Sequence, residues 1–256
     1  VCAAPYMASS AEELISNADL AVYSAKRSGK NAVLMYSEDV EKDRDAQQGR
    51  GNGKGSYYDT YASTVYALTA AIDTKDHYTF SHSRNVAYYA AELARCYGLN
   101  QECIDTVREA GLLHDIGKIG IREDILNKPG RLTEEEYDIM KTHVENSIGI
   151  IRHLPSLDYV IPAVLSHHER YDGNGYPRGI AGEDIPLMGR ILCVVDSFDA
   201  MVSRRSYKRP MSVEEAMNVL EKQKGRQFDP KLVEIFVDMI KNNRIELKLP
   251  EALEES

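Results

Sequence analysis

The sequence predicts a mainly α-helical protein, a bundle of about seven or eight helices behind a small N-terminal α/β fragment. From Tyr57 onward, apolar residues recur at helical spacing almost throughout. Two capping boxes, Thr133-x-x-Glu136 and Ser212-x-x-Glu215, mark helix starts within this stretch. These observations indicate one helical domain over residues 57–246, with a tail over 247–256.

Composition narrows the class of protein. The 256 residues are 43% hydrophobic and 28% charged, which is ordinary for a globular chain long enough to bury a sizeable core. The net charge of -9 argues against a nucleic-acid partner, and four cysteines without a CxxC pair indicate a reducing compartment. No apolar run is long enough to cross a membrane and no signal peptide is visible, so we expect a cytoplasmic segment without membrane contact. Because the chain begins without Met, we expect a piece of a longer protein and leave an upstream membrane anchor open.

The first 40 residues predict an α/β unit. Ser10-x-x-Glu13 caps a helix, and residues 31–36 read as a short strand. The pattern Ala-Asp-x-Ala-x-Tyr-x-Ala-Lys-Arg, from Ala18 to Arg27, resembles the C-terminal end of a GGDEF (diguanylate cyclase) domain. The signature loop of such a domain is missing, so we expect no cyclase activity, and an ordinary edge αβ unit is the alternative. Residues 41–56, with four glycines between Gly49 and Gly55, predict a flexible linker.

Helices of the main domain follow one another with recognisable ends. An apolar stripe from Tyr58 to Ile72 predicts the first helix, and Asp229-Pro230 opens the last one. Residues 171–186 are rich in Gly and Pro and predict a loop. The remaining helices are expected at about 82–97, 101–114, 133–153, 157–169, 187–203 and from Ser212 onward.

Metal-ligand side chains recur on separate predicted helices. A single histidine on an apolar face is more often a core residue, and His77 and His153 are interpreted in that way. The joint pattern is different, because facing helices of a bundle project ligands inward. Five imidazoles and two carboxylates are too many for one ion, and two-metal sites suit phosphoryl chemistry. The set comprises His82, His114, Asp115, His143, His167, His168 and Asp196.

This pattern resembles the HD-GYP family of phosphodiesterases, within the HD superfamily. The motifs are Thr79-Phe-Ser-His-Ser, His114-Asp-Ile-Gly-Lys-Ile, Lys141-Thr-His, His167-His-Glu-Arg-Tyr-Asp-Gly-Asn-Gly-Tyr-Pro and Val194-Val-Asp-Ser-Phe-Asp-Ala. The resemblance implies that the seven residues above are metal ligands, with Asp115 as a bridging carboxylate. It favours two ions of iron or manganese. Some members hold a third metal with a Glu where this chain has Tyr78, so we expect a dinuclear site, although Asp76 could substitute.

The resemblance also implies substrate contacts. Four cations, Arg204, Arg205, Lys208 and Arg209, lie in an otherwise acidic chain. Arg205 and Lys208 would hold substrate phosphate, since Arg donors match phosphate oxygens; a solvated helix end is the alternative.

Three further residues complete the expected site. Lys118 would lie near the scissile phosphate as a catalytic residue, the alternative being a surface lysine. Tyr176 and the glycines before it would line a guanine-binding cleft, unless Asp172–Gly175 is only a tight turn. Asp199 is assigned to the substrate site, where it would orient either a metal ligand or a basic residue.

The implied activity is metal-dependent hydrolysis of cyclic di-GMP to pGpG, with GMP as an open further product. Two alternatives remain: a hydrolase of another nucleotide such as a hybrid cyclic dinucleotide, and a non-catalytic receptor for cyclic di-GMP. GGDEF-domain proteins are candidate partners, and a homodimer is left open.

Overall fold

A computed structural model describes residues 65, 69–70, 72, 75, 81–154, 157–203 and 210–249. The described part is helical, which confirms the predicted fold class, and it contains no β-strand, only an isolated bridge between Lys224 and Phe228. Within it, seven α-helices have at least eight residues and two are shorter. The nine helices are α1 His82–Tyr97, α2 Gln101–Leu113, α3 Glu123–Leu126, α4 Glu134–Lys141, α5 His143–Ile151, α6 Ile161–Ser166, α7 Leu187–Val202, α8 Val213–Lys222 and α9 Pro230–Lys241.

Several helix ends lie where the cap residues predict them. Gly98 ends α1 with a φ of 97°, a backbone conformation that favours glycine. Both capping boxes form, with the Thr133 and Ser212 hydroxyls accepting the backbone N–H groups of Glu136 and Glu215. These local signals fix where the helices begin and stop.

Two predicted helices are shorter than expected. The helix predicted over 133–153 is divided into α4 and α5 at Thr142, whose N–H and hydroxyl both donate to the Ile139 carbonyl and tighten the turn. The helix predicted over 157–169 begins with a 3₁₀ turn, Asp158–Val160, and ends at Ser166. A further 3₁₀ helix, Ile116–Gly120, follows α2.

Helix α7 lies at the centre of the described bundle, in contact with α1, α2, α6, α8 and α9. Its Phe198 ring meets Tyr89 of α1 at 5.8 Å and Phe236 of α9 at 5.1 Å, both edge to face. All three rings are fully buried. Such aromatic pairs stabilise by about 1 kcal/mol beyond their buried area, so they fix α1 and α9 against α7.

Other features concern the ends of the chain. Residues 245–249 continue beyond the predicted boundary at 246 and contact α1, through the backbone of Lys248 and the hydroxyl of Tyr89. The fragment over 1–40, the linker and His77 lie outside the described residues.

His153 is exposed, so its interpretation as a core histidine is wrong. Among the helices that the structure describes, none has the length and apolar character that crossing a bilayer requires.

Candidate metal centre

Three histidines occupy equivalent places at helix ends. His114 follows α2, His143 follows the break after α4, and His167 follows α6. Each ring accordingly directs Nδ1 to the carbonyl three residues back, at 2.7, 2.8 and 2.6 Å. Carbonyls in the last turn of a helix lack an intrahelical partner, and these rings supply one. Because a carbonyl only accepts, Nδ1 carries a proton, which leaves Nε2 as the atom through which each ring, when neutral, can bind metal.

The three Nε2 atoms meet a shared carboxylate. Asp115 places Oδ2 at 3.3 Å from Nε2 of His114, and Oδ1 at 3.3 Å from Nε2 of His143 and 4.0 Å from Nε2 of His167. These Nε2 atoms and Asp115 Oδ1 are buried and have no hydrogen-bond partner within the described part of the chain. Two ligand atoms about 2.1 Å from one ion, at ordinary coordination angles, are about 3.0–3.4 Å apart. The arrangement therefore fits a metal better than a hydrogen-bond network.

The ligand atoms form two groups that share Asp115. One group combines Asp115 with His143, His167 and His168, and the other combines it with His82 and His114, with ligand atoms within 4.8 Å in each. Asp196 borders the second group, since its Oδ1 lies 3.3 Å from Nε2 of His82 and 3.8 Å from that of His114. All seven predicted ligands are thus brought together.

Charge is unevenly divided between the two groups. Burial lowers the pKa of His143, of His167 and, to about 3, of His168, so their rings are neutral at pH 7 and free to act as ligands. Burial also acts to lower the pKa of His82, but hydrogen bonds to Asp196 and Asp199 outweigh it and raise that pKa to about 10. The carboxylates that attract a proton there also favour a metal cation.

Lys118 lies beside the shared carboxylate. The 3₁₀ helix after α2 turns its ammonium back to Asp115, with Nζ 2.8 Å from Oδ2. Burial would raise the pKa of Asp115, but Lys118 and His114 hold it well below the usual range. The ammonium is therefore a fixed positive charge at the rim of the cluster.

Gly117 allows this turn to pack against α5. A Cβ on Gly117 would lie 1.9 Å from the His143 carbonyl oxygen and 2.4 Å from the Ser147 nitrogen. The Gly117 N–H donates to the Ser147 hydroxyl, which in turn donates to the His114 carbonyl. Close backbone contact therefore fixes the spacing between His114 and His143.

The loop formed by Gly175, Tyr176 and Pro177 packs against the segment that begins with the last histidine ligand, His168. Gly175 packs on the backbone there, where a Cβ would lie 2.3 Å from the Arg170 nitrogen. The ring of Tyr176 stacks on His168 at 4.8 Å, and the Arg178 N–H donates to Glu169 Oε1 at 2.8 Å. Sequence reasoning missed Glu169, although its place directly after two histidines is an available signal.

Asp199 lies behind the cluster. It is fully buried, and its Oδ2 accepts from Nδ1 of His82 at 2.7 Å and from the Ser203 hydroxyl at 3.0 Å. This is the position that the ligand-orienting alternative for Asp199 requires. Asn85, which sequence reasoning missed, donates to the other oxygen, and its spacing of three residues from His82 on one helix face could have revealed it.

The remaining predicted site residues include six that the structure does not describe and the turn over residues 172–175. Arg204, Arg205, Lys208 and Arg209, with Asp76 and Tyr78, lie outside the described residues. The tight-turn alternative for Asp172–Gly175 has structural support, because Asp172 Oδ1 accepts the Asn174 N–H at 3.0 Å.

Comparison with known families agrees with this geometry. The sequence profile described as "HD domain" matches residues 67–232, which include every candidate ligand. The chain belongs to the HD-domain family. This HD domain is 41% identical to a 3′3′-cGAMP-specific phosphodiesterase of Vibrio cholerae, over 70% of the chain and 35% of that relative. It is 40% identical to a cyclic di-GMP phosphodiesterase of Thermotoga maritima, over 72% of the chain and 51% of that relative.

The chain thus spans about half, or less, of the curated relatives it matches. Among solved structures, a cyclic GMP-AMP-specific phosphodiesterase of Vibrio cholerae superposes with a TM-score of 0.56 at 22% identity, covering 71% of this chain and 49% of that one. At that level of identity the likeness shows the fold alone.

Removing metal from the HD domain is expected to lower its thermal midpoint by about 5–10 °C. A ligand present at about a hundred times its Kd stabilises the native state by about 2.7 kcal/mol, and each kcal/mol shifts the midpoint of a chain of this size by about 2–4 °C. Calorimetry after anaerobic chelation measures the change. Added Mn²⁺ should restore the midpoint, whereas Mg²⁺, which prefers oxygen ligands, should not. An unchanged midpoint in a chain that held metal before chelation would contradict the expectation.

Proposed function

We propose that this HD domain is a metal-dependent phosphodiesterase of the HD-GYP type that hydrolyses cyclic di-GMP to pGpG. The observation that carries the proposal is the pair of ligand groups joined by Asp115, with three unpartnered Nε2 atoms around it. Two relatives at 40% and 41% identity are named as phosphodiesterases of cyclic dinucleotides, which supports the same chemistry. The intact Gly175-Tyr176-Pro177 loop, fastened to His168, favours the HD-GYP branch.

We assign two divalent transition-metal ions, iron or manganese, to the two groups. His143, His167 and His168 would hold one, and His82, His114 and Asp196 the other, with Asp115 between them. When bound, such a pair supplies an activated water nucleophile and positive charge opposite the phosphoryl oxygens. The mixture of imidazole and carboxylate ligands permits iron, manganese, zinc, cobalt or nickel, and the resemblance to the HD-GYP family favours iron or manganese.

Substrate contacts extend from this cluster. Lys118 neutralises charge on the scissile phosphate, from its place beside Asp115. Tyr176, half-buried and stacked on His168, lines the base-binding cleft next to that metal group. Arg205 and Lys208 hold substrate phosphate; this part of the proposal rests on the sequence motif.

Replacing Lys118 with methionine is expected to lower kcat by about 100-fold while metal content stays constant. The variant removes a positive charge from the rim of the cluster and keeps most of the length of the unbranched side chain. Steady-state hydrolysis and elemental analysis measure the two quantities. Lys241→Met, at an exposed position in the last turn of α9, is the matched control. A parallel fall in metal content and kcat would instead place Lys118 among the residues that support Asp115.

The proposed activity is tested with the anaerobically prepared chain, loaded with Fe²⁺ or Mn²⁺. Cyclic di-GMP, 3′3′-cGAMP and cyclic di-AMP are incubated separately and the products separated. We expect cyclic di-GMP to be cleaved fastest, with pGpG appearing first and any GMP later. Preferred cleavage of 3′3′-cGAMP would favour the second candidate, which the 41% identical relative supports. A chain that takes up neither Fe²⁺ nor Mn²⁺ and still binds cyclic di-GMP without cleaving it would be a receptor, and that result would overturn the proposal.

We also propose that residues 1–40 are the C-terminal end of a GGDEF domain, joined by the linker over 41–56 to the HD domain over 57–246. The Ala18–Arg27 pattern supports this. Proteins with GGDEF domains are then the natural signalling partners, in the cytoplasm. A homodimer, detectable by light scattering, is the remaining alternative to a monomer.

A further inference from the structure

Asn85 connects the metal centre to the end of the described chain. It lies on α1, one turn after His82, and is 6% exposed. Its amide nitrogen donates to Asp199 Oδ1 at 3.0 Å and also approaches the Lys248 carbonyl at 3.4 Å. The other carboxylate oxygen of Asp199, Oδ2, accepts a hydrogen bond from Nδ1 of His82. Asn85 thereby fixes the carboxylate that in turn fixes the orientation of a predicted metal ligand.

The C-terminal segment, residues 245–249, is held against the same stretch of α1. The Lys248 N–H donates to the Tyr89 hydroxyl at 2.7 Å, so one residue of the segment contacts Asn85 with its carbonyl and Tyr89 with its N–H. Positions 85 and 89 are one turn apart on the same helix face. Ile245 is buried in the core and anchors the start of the segment.

Tyr89 links the segment to α7 as well. Its ring is fully buried against Phe198, the residue directly before Asp199. The segment is therefore connected to α7 in two ways: through Asn85, which donates to the Asp199 carboxylate, and through Tyr89, which packs on Phe198 directly before it.

We propose that Asn85 is a positioning residue for the metal group containing His82, and that the C-terminal segment keeps Asn85 in place. Displacing the segment from α1 then weakens metal binding without touching a ligand. The inference rests on the proposed function only in taking a metal ion as the occupant of that group.

The test compares three full-length variants: Asn85→Ala, Tyr89→Phe and, as control, Tyr88→Phe. The Tyr88 hydroxyl accepts the Glu246 N–H at 3.3 Å, so its loss removes a contact to the segment outside the Asn85 and Tyr89 network. Co²⁺ affinity is measured by competition with a chelator, and the visible Co²⁺ spectrum reports the ligand geometry. We expect Asn85→Ala to weaken Co²⁺ binding about tenfold, as for other residues that orient ligands, and to alter the spectrum.

Tyr89→Phe is expected to weaken Co²⁺ binding about threefold, in keeping with the loss of one hydrogen bond, whereas Tyr88→Phe should stay within about twofold of the parent. Because Tyr89→Phe removes a single oxygen atom, it tests the inference even if Asn85→Ala does not fold. Parent-like affinity and spectrum in a folded Asn85→Ala or Tyr89→Phe chain would overturn it. Tight Co²⁺ binding by the parent without cleavage of any cyclic dinucleotide would overturn the proposed function alone.

Discussion

Replacing Asp115 with alanine is expected to abolish hydrolysis and to reduce metal content at both groups, with the helical spectrum largely intact. Asp115 is the one residue shared by the two ligand groups, and both of its oxygens face histidine Nε2 atoms. Without Asp115, each group lacks one carboxylate ligand, and Lys118 loses its ion pair with this carboxylate. Because two-metal chemistry depends on both ions, turnover should fall by at least about 10³-fold.

Elemental analysis, product formation and circular dichroism check the three parts of this expectation. Asp124→Ala is a suitable control, because that carboxylate is largely exposed on α3 and forms its ion pair with exposed Arg122. Turnover retained by the Asp115 variant would contradict a bridging role and, with it, the assignment of the two groups.

Replacing Gly117 with alanine is expected to destabilise the metal-free chain by about 3 kcal/mol and to weaken metal binding. The new Cβ would lie 1.9 Å from the His143 carbonyl oxygen and 2.8 Å from the Ser147 hydroxyl. Backbone atoms cannot move aside independently, so either the turn after Asp115 or the start of α5 must shift. The shift separates His143 from Asp115, which explains the expected effect on metal.

Urea unfolding of the metal-free chain measures the loss of stability. Gly149→Ala is the matched control. Gly149 is exposed on α5, the helix against which the Gly117 turn packs, and a Cβ there would meet no described heavy atom within 4 Å. Alanine is the better helix former, so this control should gain up to about 1 kcal/mol. Equal stability of the Gly117 variant and the parent would show that the turn is not packed as described.

Local signals in the sequence were sufficient for much of the fold. The bounds of α1, the end at Gly98 and the capping boxes at Thr133 and Ser212 depend on residues within one turn of the helix end. Residue chemistry grouped the seven candidate residues on facing helices, and the resemblance to the HD-GYP family implied that they are metal ligands. The helix ends among these features are decided by nearest neighbours along the chain.

The sequence alone did not show how the helices end at the metal centre. The sequence analysis predicted one helix that runs across position 142, where apolar spacing continues, and another that extends to Glu169. In the structure, His143 and His167 instead bind helix-end carbonyls with Nδ1, which turns Nε2 toward Asp115. The carbonyls lie only three residues back along the chain, but Asp115 comes within reach of the Nε2 atoms only when the helices pack together.

What the sequence determined by itself is therefore the helical class, most helix boundaries and the identity of the candidate ligands. Only the tertiary structure decided that these ligands divide into two groups around Asp115, that Asp199 lies behind His82, and that Asn85 and Lys248 support it. The physical reason is the distance along the chain over which each kind of interaction acts. Capping and periodicity act between residues a few positions apart, whereas Asn85 and Lys248 are 163 positions apart and meet only when α1, α7 and the C-terminal segment pack together.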